Sequence, residues 1–178
     1  MATRNPATAT ATATAESVTD PIDYIERTRS QYEALGYPAY RWVVNEDVPP
    51  FTPLARPLSD CTVALIASGG IYRLGQKAFH FKDDVSFRAI DVNVAPAELR
   101  ISHFAYDTRD ARRDVNVVFP YQTLKDLARL GRIGALSQRA YTFMGGIYSA
   151  RRVREVLAPA LAEALIRDEV DVSIMVPA

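Results

Sequence analysis

The sequence is short of both sulfur and imidazole ligands, with one cysteine, Cys61, and two histidines, His80 and His103. A single cysteine excludes an internal disulfide, a CxxC redox pair and a metal site built from several cysteines of this chain. Two histidines without patterned carboxylate spacing do not make a metal centre either. We therefore expect neither a metal nor a cofactor. We expect Cys61, which begins an apolar run, to be a buried small hydrophobe rather than a nucleophile.

The chain also lacks an excess of charge of either sign, since 21 Lys and Arg residues balance 21 Asp and Glu residues. This balance argues against a nucleic-acid binder that works through a strongly basic surface. No apolar run approaches the roughly 18 residues of a membrane-spanning helix, and the amino terminus has no apolar core of a secretory signal. We expect a cytoplasmic protein with neither nucleic acid nor membrane as a partner.

The length of 178 residues and the hydrophobic content of 48% are enough for one core of ordinary size. Residues 1–18 contain the alternating segment ATATATATA and are predicted to be a disordered, low-complexity tail. Residues 19–178 are predicted to form a single α/β domain. Within it, residues 38–57 mix prolines with aromatics, which favours an extended arm whose aromatics pack over the domain.

The order of patterns along the chain predicts the fold class. Asp20 can cap a first helix that begins at Pro21 and stops at Gly36. Residues 61–67 form a continuous apolar run, typical of a strand that is buried on both faces. Strand and helix patterns then alternate up to a closing strand at residues 170–176. This alternation predicts a Rossmann-like parallel sheet flanked by helices.

Two polar loops follow apolar runs, and both are candidates for a ligand site. Gly69 and Gly70 follow the run at residues 61–67, and His103 lies where the run at residues 101–105 gives way to charged residues. Because the carboxyl ends of parallel strands share one edge of a sheet, we predict that His103 lies within reach of the two glycines. An imidazole with an unperturbed pKa of about 6.5 suits acid–base work. A tight turn at the glycines and a solvated loop of ion pairs are the alternatives.

Four short motifs occur together in one order. They are SGGIY at residues 68–72, ISHxxYD at residues 101–107, DxNVVFP at residues 114–120 and FMG at residues 143–145. In this combination the sequence resembles the B component of the glycine, sarcosine, betaine and D-proline reductases, the selenoprotein B family. The resemblance covers most of residues 20–176.

The resemblance implies an oxidoreductase subunit or fragment that cleaves a C–N bond of glycine, an N-methylated glycine or D-proline with a dithiol/disulfide couple. It implies close substrate approach at Gly69 and Gly70, proton transfer by His103, and orientation of the substrate by Asp107 and Asn116. In such enzymes a selenol or thiol attacks the substrate, and this chain has no selenocysteine and no second cysteine. The expected partners are therefore other subunits of a reductase complex, or a chain that carries the redox motif.

Two other functions remain open at this point: a non-catalytic subunit derived from the family, and a small-molecule or partner-binding protein without the redox centre. The predicted sheet could be incomplete at its carboxyl terminus, because only Pro177 and Ala178 follow the last strand. In the family that the sequence resembles, the redox motif begins at this turn. We expect the front portion of a longer protein, cut at an in-frame UGA codon or by a genuine stop.

Overall fold

The computed structural model describes residues 22–39, 41 and 43–178. The chain divides into two compact units, one that ends at Asp47 and one that is Val48–Ala178. The tail predicted at residues 1–18 and the cap predicted at Asp20 lie outside the described residues.

The described residues of the first unit contain one helix, α1 (Tyr24–Ala34). Its first turn is capped by Asp23, whose Oδ1 accepts a hydrogen bond of 3.0 Å from the backbone N–H of Glu26. The helix therefore begins at Tyr24; the start predicted at Pro21 lies outside the described residues. Gly36 follows the helix with a φ of +77°, as expected of a glycine that ends a helix.

The second unit contains seven strands and four further helices. The strands are β1 (Thr62–Ala67), β2 (Ile71–Arg73), β3 (Phe87–Asp91), β4 (Leu99–Ile101), β5 (Ala135–Leu136), β6 (Arg139–Phe143) and β7 (Val172–Val176). The helices are α2 (Arg109–Arg113), α3 (Tyr121–Arg129), α4 (Ala150–Arg152) and α5 (Ala158–Arg167). Short 3-10 turns occupy Leu58–Asp60, Pro96–Glu98 and Val115–Val117.

Strand β1 is the centre of the main sheet. One of its edges pairs in parallel with β7, from Val63 opposite Val172 to Ala67 opposite Val176. The other edge pairs in parallel with β5 and then with β6. Strand β3 adds to β6 in the antiparallel direction. The sheet is thus mostly parallel with one antiparallel edge, which confirms the α/β prediction at this level but not a Rossmann-like order.

Both faces of β1 are buried, as its continuous apolar sequence predicted. On one face, Leu65 packs in a cluster that contains Phe119 and Leu124, beside α3. On the other face, Ile66 packs with Leu157 and the first turns of α5. Successive side chains of a strand point to opposite faces, so helices cover the sheet on both sides.

Strand β4 differs from the prediction. The run at residues 101–105 was predicted to be a central parallel strand, but β4 ends at Ile101 and pairs only with β2, in the antiparallel direction. The reason lies at Gly70, whose φ of +70° turns the chain back after β1. Together β2 and β4 form a separate two-stranded ribbon.

The last helical region begins at Ser149, whose Oγ accepts from the backbone N–H of Arg152 at 3.3 Å. A π-helical segment, Val153–Leu157, joins α4 to α5. Pro159 lies in the first turn of α5, where its missing N–H is consistent with this local distortion. In the described part of the chain, no helix is both long and apolar enough to cross a membrane.

Residues 48–57 of the second unit form no helix or strand. Phe51, which belongs to the predicted arm, is 90% exposed. The prediction that the arm packs its aromatics is therefore wrong at this residue. The other two aromatics of the arm, Tyr40 and Trp42, lie outside the described residues.

Candidate functional site

The loops after β1 and β6 are joined by backbone hydrogen bonds at the carboxyl edge of the sheet. The N–H of Gly70 donates to the carbonyl of Phe143 at 2.9 Å, and the N–H of Gly145 donates to the carbonyl of Ser68 at 2.8 Å. The N–H of Ser68 donates to the carbonyl of Val176 in β7 at 3.0 Å. The carboxyl ends of three parallel strands therefore meet here, which is where open α/β sheets bind ligands.

Gly70 brings His103 to this edge. The N–H of Ser102 donates to the carbonyl of Gly70 at 2.9 Å. A Cβ atom on Gly70 would lie 2.2 Å from the carbonyl oxygen of Ser102 and 3.3 Å from the Cβ atom of His103. His103 is thus close to the glycine pair, as the sequence predicted. The cause is antiparallel pairing of β2 with β4, not the adjacent parallel strands that were expected.

Only one of the two ring nitrogens of His103 makes a hydrogen bond to a described residue. Its Nδ1 accepts from the backbone N–H of Ala105 at 3.1 Å. An acceptor nitrogen carries no hydrogen, so the neutral ring carries its hydrogen on Nε2. Nε2 is buried and has no hydrogen-bond partner among the described residues. Burial also lowers the pKa of His103 below its ordinary value. The ring is therefore a neutral donor with no acceptor, which costs stability until an acceptor binds.

Tyr106 connects the His103 loop to Gly69. Its hydroxyl donates to the carbonyl of Gly69 at 2.9 Å, and its ring lies 4.6 Å from the His103 ring, centroid to centroid. A Cβ atom on Gly69 would lie 3.2 Å from Val118 and 3.4 Å from the Tyr106 hydroxyl, so the tight contact for a side chain here would be with Val118. Burial raises the pKa of Tyr106, and the charge of Arg112 opposes that effect. No role was predicted for Tyr106, although it stands inside the ISHxxYD motif.

Apolar side chains surround the loop that follows β6. Phe104 lies directly over Gly146, where a Cβ atom would come within 2.5 Å of the phenyl ring. Next to this loop, a largely apolar cavity of about 300 Å³ is lined by residues of β1, β6 and β7, among them Ile66, Phe143 and Val176. The volume is at the lower end of the range for small-ligand sites.

Asp107 and Asn116 are held by partners near them in sequence. The carboxylate of exposed Asp107 pairs with Arg109 at 2.5 Å, and this hydrogen-bonded guanidinium lowers the pKa of Asp107 to about 2. The amide of Asn116 donates to the Asp114 carboxylate at 2.9 Å and to Gln122 at 2.5 Å. In the part of the chain that the structure describes, neither side chain hydrogen-bonds to Gly69, Gly70 or His103.

Cys61 is buried and immediately precedes β1, as expected of a small hydrophobe. Its Sγ lies 3.4 Å from the carbonyl oxygen of Pro57. The six residues of β1 separate it from Ser68, a distance of about 20 Å at the usual rise of a strand. Cys61 is therefore at the wrong end of the strand to act beside His103.

The glycine/sarcosine/betaine reductase selenoprotein B (GRDB) family matches residues 37–178. This chain belongs to that family. The match covers all of the second unit and every residue of the candidate site.

Two curated proteins of named function are similar to the chain. The D-proline reductase subunit gamma of Acetoanaerobium sticklandii is 34% identical over 123 residues, which cover 69% of this chain and 51% of that protein. The glycine reductase complex component B subunit gamma of Symbiobacterium thermophilum is 32% identical over 133 residues, which cover 72% of this chain and 30% of that protein. The chain thus spans about half of one relative and under a third of the other. No solved structure matches it significantly.

Proposed function

We propose that this chain works as a subunit, or as part of one, in a cytoplasmic reductase that cleaves a C–N bond of glycine, an N-methylated glycine or D-proline. Family membership and the names of the two relatives support this class of reaction. The observation that carries the proposal is the buried, unpartnered Nε2–H of His103 beside Gly69 and Gly70. A donor in that state is suited to an acceptor that only a bound molecule supplies.

The reaction needs two electrons and two protons for each C–N bond that breaks. One proton goes to the carbon and one to the nitrogen, and a dithiol that becomes a disulfide supplies both electrons and both protons. The attacking thiol or selenol must be ionised at neutral pH. Because Cys61 is buried at the far end of β1, the nucleophile in this proposal comes from another subunit or from a chain that carries the redox motif.

His103 is the residue of this chain that we place at the reacting atoms. In the neutral tautomer, its Nε2–H donates a hydrogen bond to the nitrogen of the C–N bond or to the anionic nucleophile, and so assists proton transfer there. Gly69 and Gly70 leave room for the substrate because neither has a side chain. The negative charge of Asp107 and the amide of Asn116 orient the substrate from the loops on either side of α2.

The second candidate is a non-catalytic subunit, or a small-molecule or partner-binding protein, that keeps the sheet without a redox centre. One observation favours it: the chain's only cysteine is inaccessible to the site. Such a protein would bind its partner or ligand through the same edge of the sheet and would not affect turnover.

Reconstitution distinguishes the two candidates. The chain is co-expressed with the other reductase subunits of its source organism, the complex is purified through a tag on this chain, and amine production or D-proline ring opening is assayed with dithiothreitol. Dithiol-dependent turnover that disappears when this chain is omitted is the expected result. Co-purification with the same turnover in its absence would favour the non-catalytic subunit, and the absence of both binding and turnover would contradict both candidates.

A further inference from the structure

A second cavity, of about 290 Å³, lies between β4 and the region of α2. Three arginines line it, Arg100, Arg112 and Arg113. Buried apolar side chains, among them Leu99 and Ala111, line it as well. Of its lining residues, Arg112 also acts through its charge on Tyr106 of the His103 site.

Two of these arginines carry charges that no carboxylate neutralises within the described residues. Arg100 donates from Nη1 to the carbonyls of Ala97 and Leu99, at 2.8 Å each. Arg112 donates from Nε to the hydroxyl of Thr108 at 3.1 Å, and its two terminal nitrogens make no hydrogen bond to a described residue. These neutral partners hold each guanidinium group in place. The remaining N–H groups of both arginines stay available to donate to a ligand.

The acidic side chains near the cavity either accept hydrogen bonds from other residues or form only an exposed ion pair. Asp114 lines the cavity, but its Oδ1 accepts from the backbone and side-chain N–H groups of Asn116, at 2.9 Å each. Asp110 pairs with Arg113 at 3.5 Å, and both side chains are exposed, so solvent screens most of that attraction. Three guanidinium groups against one bonded carboxylate make the lining net positive.

We infer that this cavity binds a small anion whose oxyanion, a carboxylate or a phosphate, is held by Arg112 with help from Arg100. A guanidinium presents parallel N–H donors that fit two oxygens of such a group. The apolar lining gives the carbon part of an organic anion a surface to pack against, and the volume limits the ligand to a small molecule. This site does not depend on the reductase function proposed above.

The test uses the full chain, with inorganic phosphate and acetate as separate probes, titrated at constant ionic strength by calorimetry or by NMR shifts. The variants are Arg112→Gln and Arg100→Gln. The control is Arg129→Gln, which removes an equally charged side chain from α3, where Arg129 pairs with exposed Asp126. Thermal melting of each variant verifies that it is folded.

Saturable binding of at least one probe, weakened about tenfold or more by Arg112→Gln and unchanged by Arg129→Gln, is the expected result. A preference for phosphate over acetate, or the reverse, identifies which oxyanion the site takes. Equal affinity in Arg112→Gln and Arg129→Gln would overturn the inference, because binding would then reflect overall charge. So would the absence of saturable binding of both probes to the wild-type chain.

Discussion

At the scale of single residues, Gly70 determines how the chain leaves β1. We predict that Gly70→Ala lowers the free energy of unfolding by about 2–4 kcal/mol. The new Cβ would lie 2.2 Å from the carbonyl oxygen of Ser102, and the φ of +70° is unfavourable for a side chain. Urea unfolding followed by circular dichroism measures the change.

Gly131→Ala is a matched control, because Gly131 has a nearly identical φ of +66° and, apart from its two chain neighbours, no described residue comes within 4 Å of the position that its new methyl group would take. This substitution should lower the free energy of unfolding by only about 1 kcal/mol, the cost of placing an alanine at a positive φ. If the two variants were equally stable, the close approach of Ser102 to Gly70 would have no energetic weight.

The His103 imidazole should make stability depend on pH. Burial lowers its pKa in the folded state, so the unfolded chain binds the proton more readily. Above the unfolded pKa of about 6.5 both states are neutral, and the residue has no effect on pH dependence. As the pH falls below that value, the folded state loses stability until the pH passes the folded pKa.

We predict that this loss between about pH 7.5 and pH 5 is smaller in His103→Gln than in the wild type, since glutamine does not titrate. Unfolding curves at several pH values measure it, with His80→Gln as the control for the exposed histidine. An identical slope in the wild type and His103→Gln would show that His103 titrates normally.

Sequence reasoning reached part of the candidate site. The proximity of His103 to Gly69 and Gly70 was predicted from parallel strand ends, but it arises from the antiparallel pairing of β2 with β4. The bond from Ala105 to Nδ1 could not, since it depends on the backbone path of one loop. Tyr106 could have been found only through its place in a motif.

At the scale of elements, Asp168 links the end of α5 to β6. Its side chain is 6% exposed and accepts hydrogen bonds from Arg139 and from the Tyr141 hydroxyl. We predict that Asp168→Ala lowers the free energy of unfolding by about 1–3 kcal/mol, because the buried Tyr141 hydroxyl and the half-exposed Arg139 guanidinium lose the buried carboxylate that they share. Thermal or urea unfolding measures the loss.

Asp126→Ala is the matching control, because its pair with Arg129 is exposed and spans one turn of α3. That change should cost at most about 0.5 kcal/mol. Similar losses in the two variants would mean that the contact between α5 and β6 contributes no more than a surface ion pair.

The elements that sequence predicted best are those with a one-sided or fully buried pattern. The buried strand at residues 61–67 follows from local sequence and was confirmed. The partner of β4 was predicted wrongly, because a three-residue strand carries no signal that separates parallel from antiparallel pairing.

At the scale of the whole molecule, the mostly parallel α/β sheet could be predicted, since alternating strands and helices favour that class. The division into two units at Asp47 could not be read from a stretch whose prolines suggest only an extended path. The matched region of 123 residues is about half of the D-proline reductase subunit gamma. Because both relatives are named as subunits, the proposed activity has to be measured in a reconstituted complex.

The turnover number of the reconstituted reductase with His103→Ala tests the central claim most directly. The account predicts that kcat falls by about 100-fold or more, since a positioned proton-transfer group contributes on that order. His103→Gln should recover part of kcat, because its side-chain amide can place an N–H near the position of Nε2, and His80→Ala should match the wild type. A kcat for His103→Ala equal to that of His80→Ala, in a complex that assembles normally, would contradict the account.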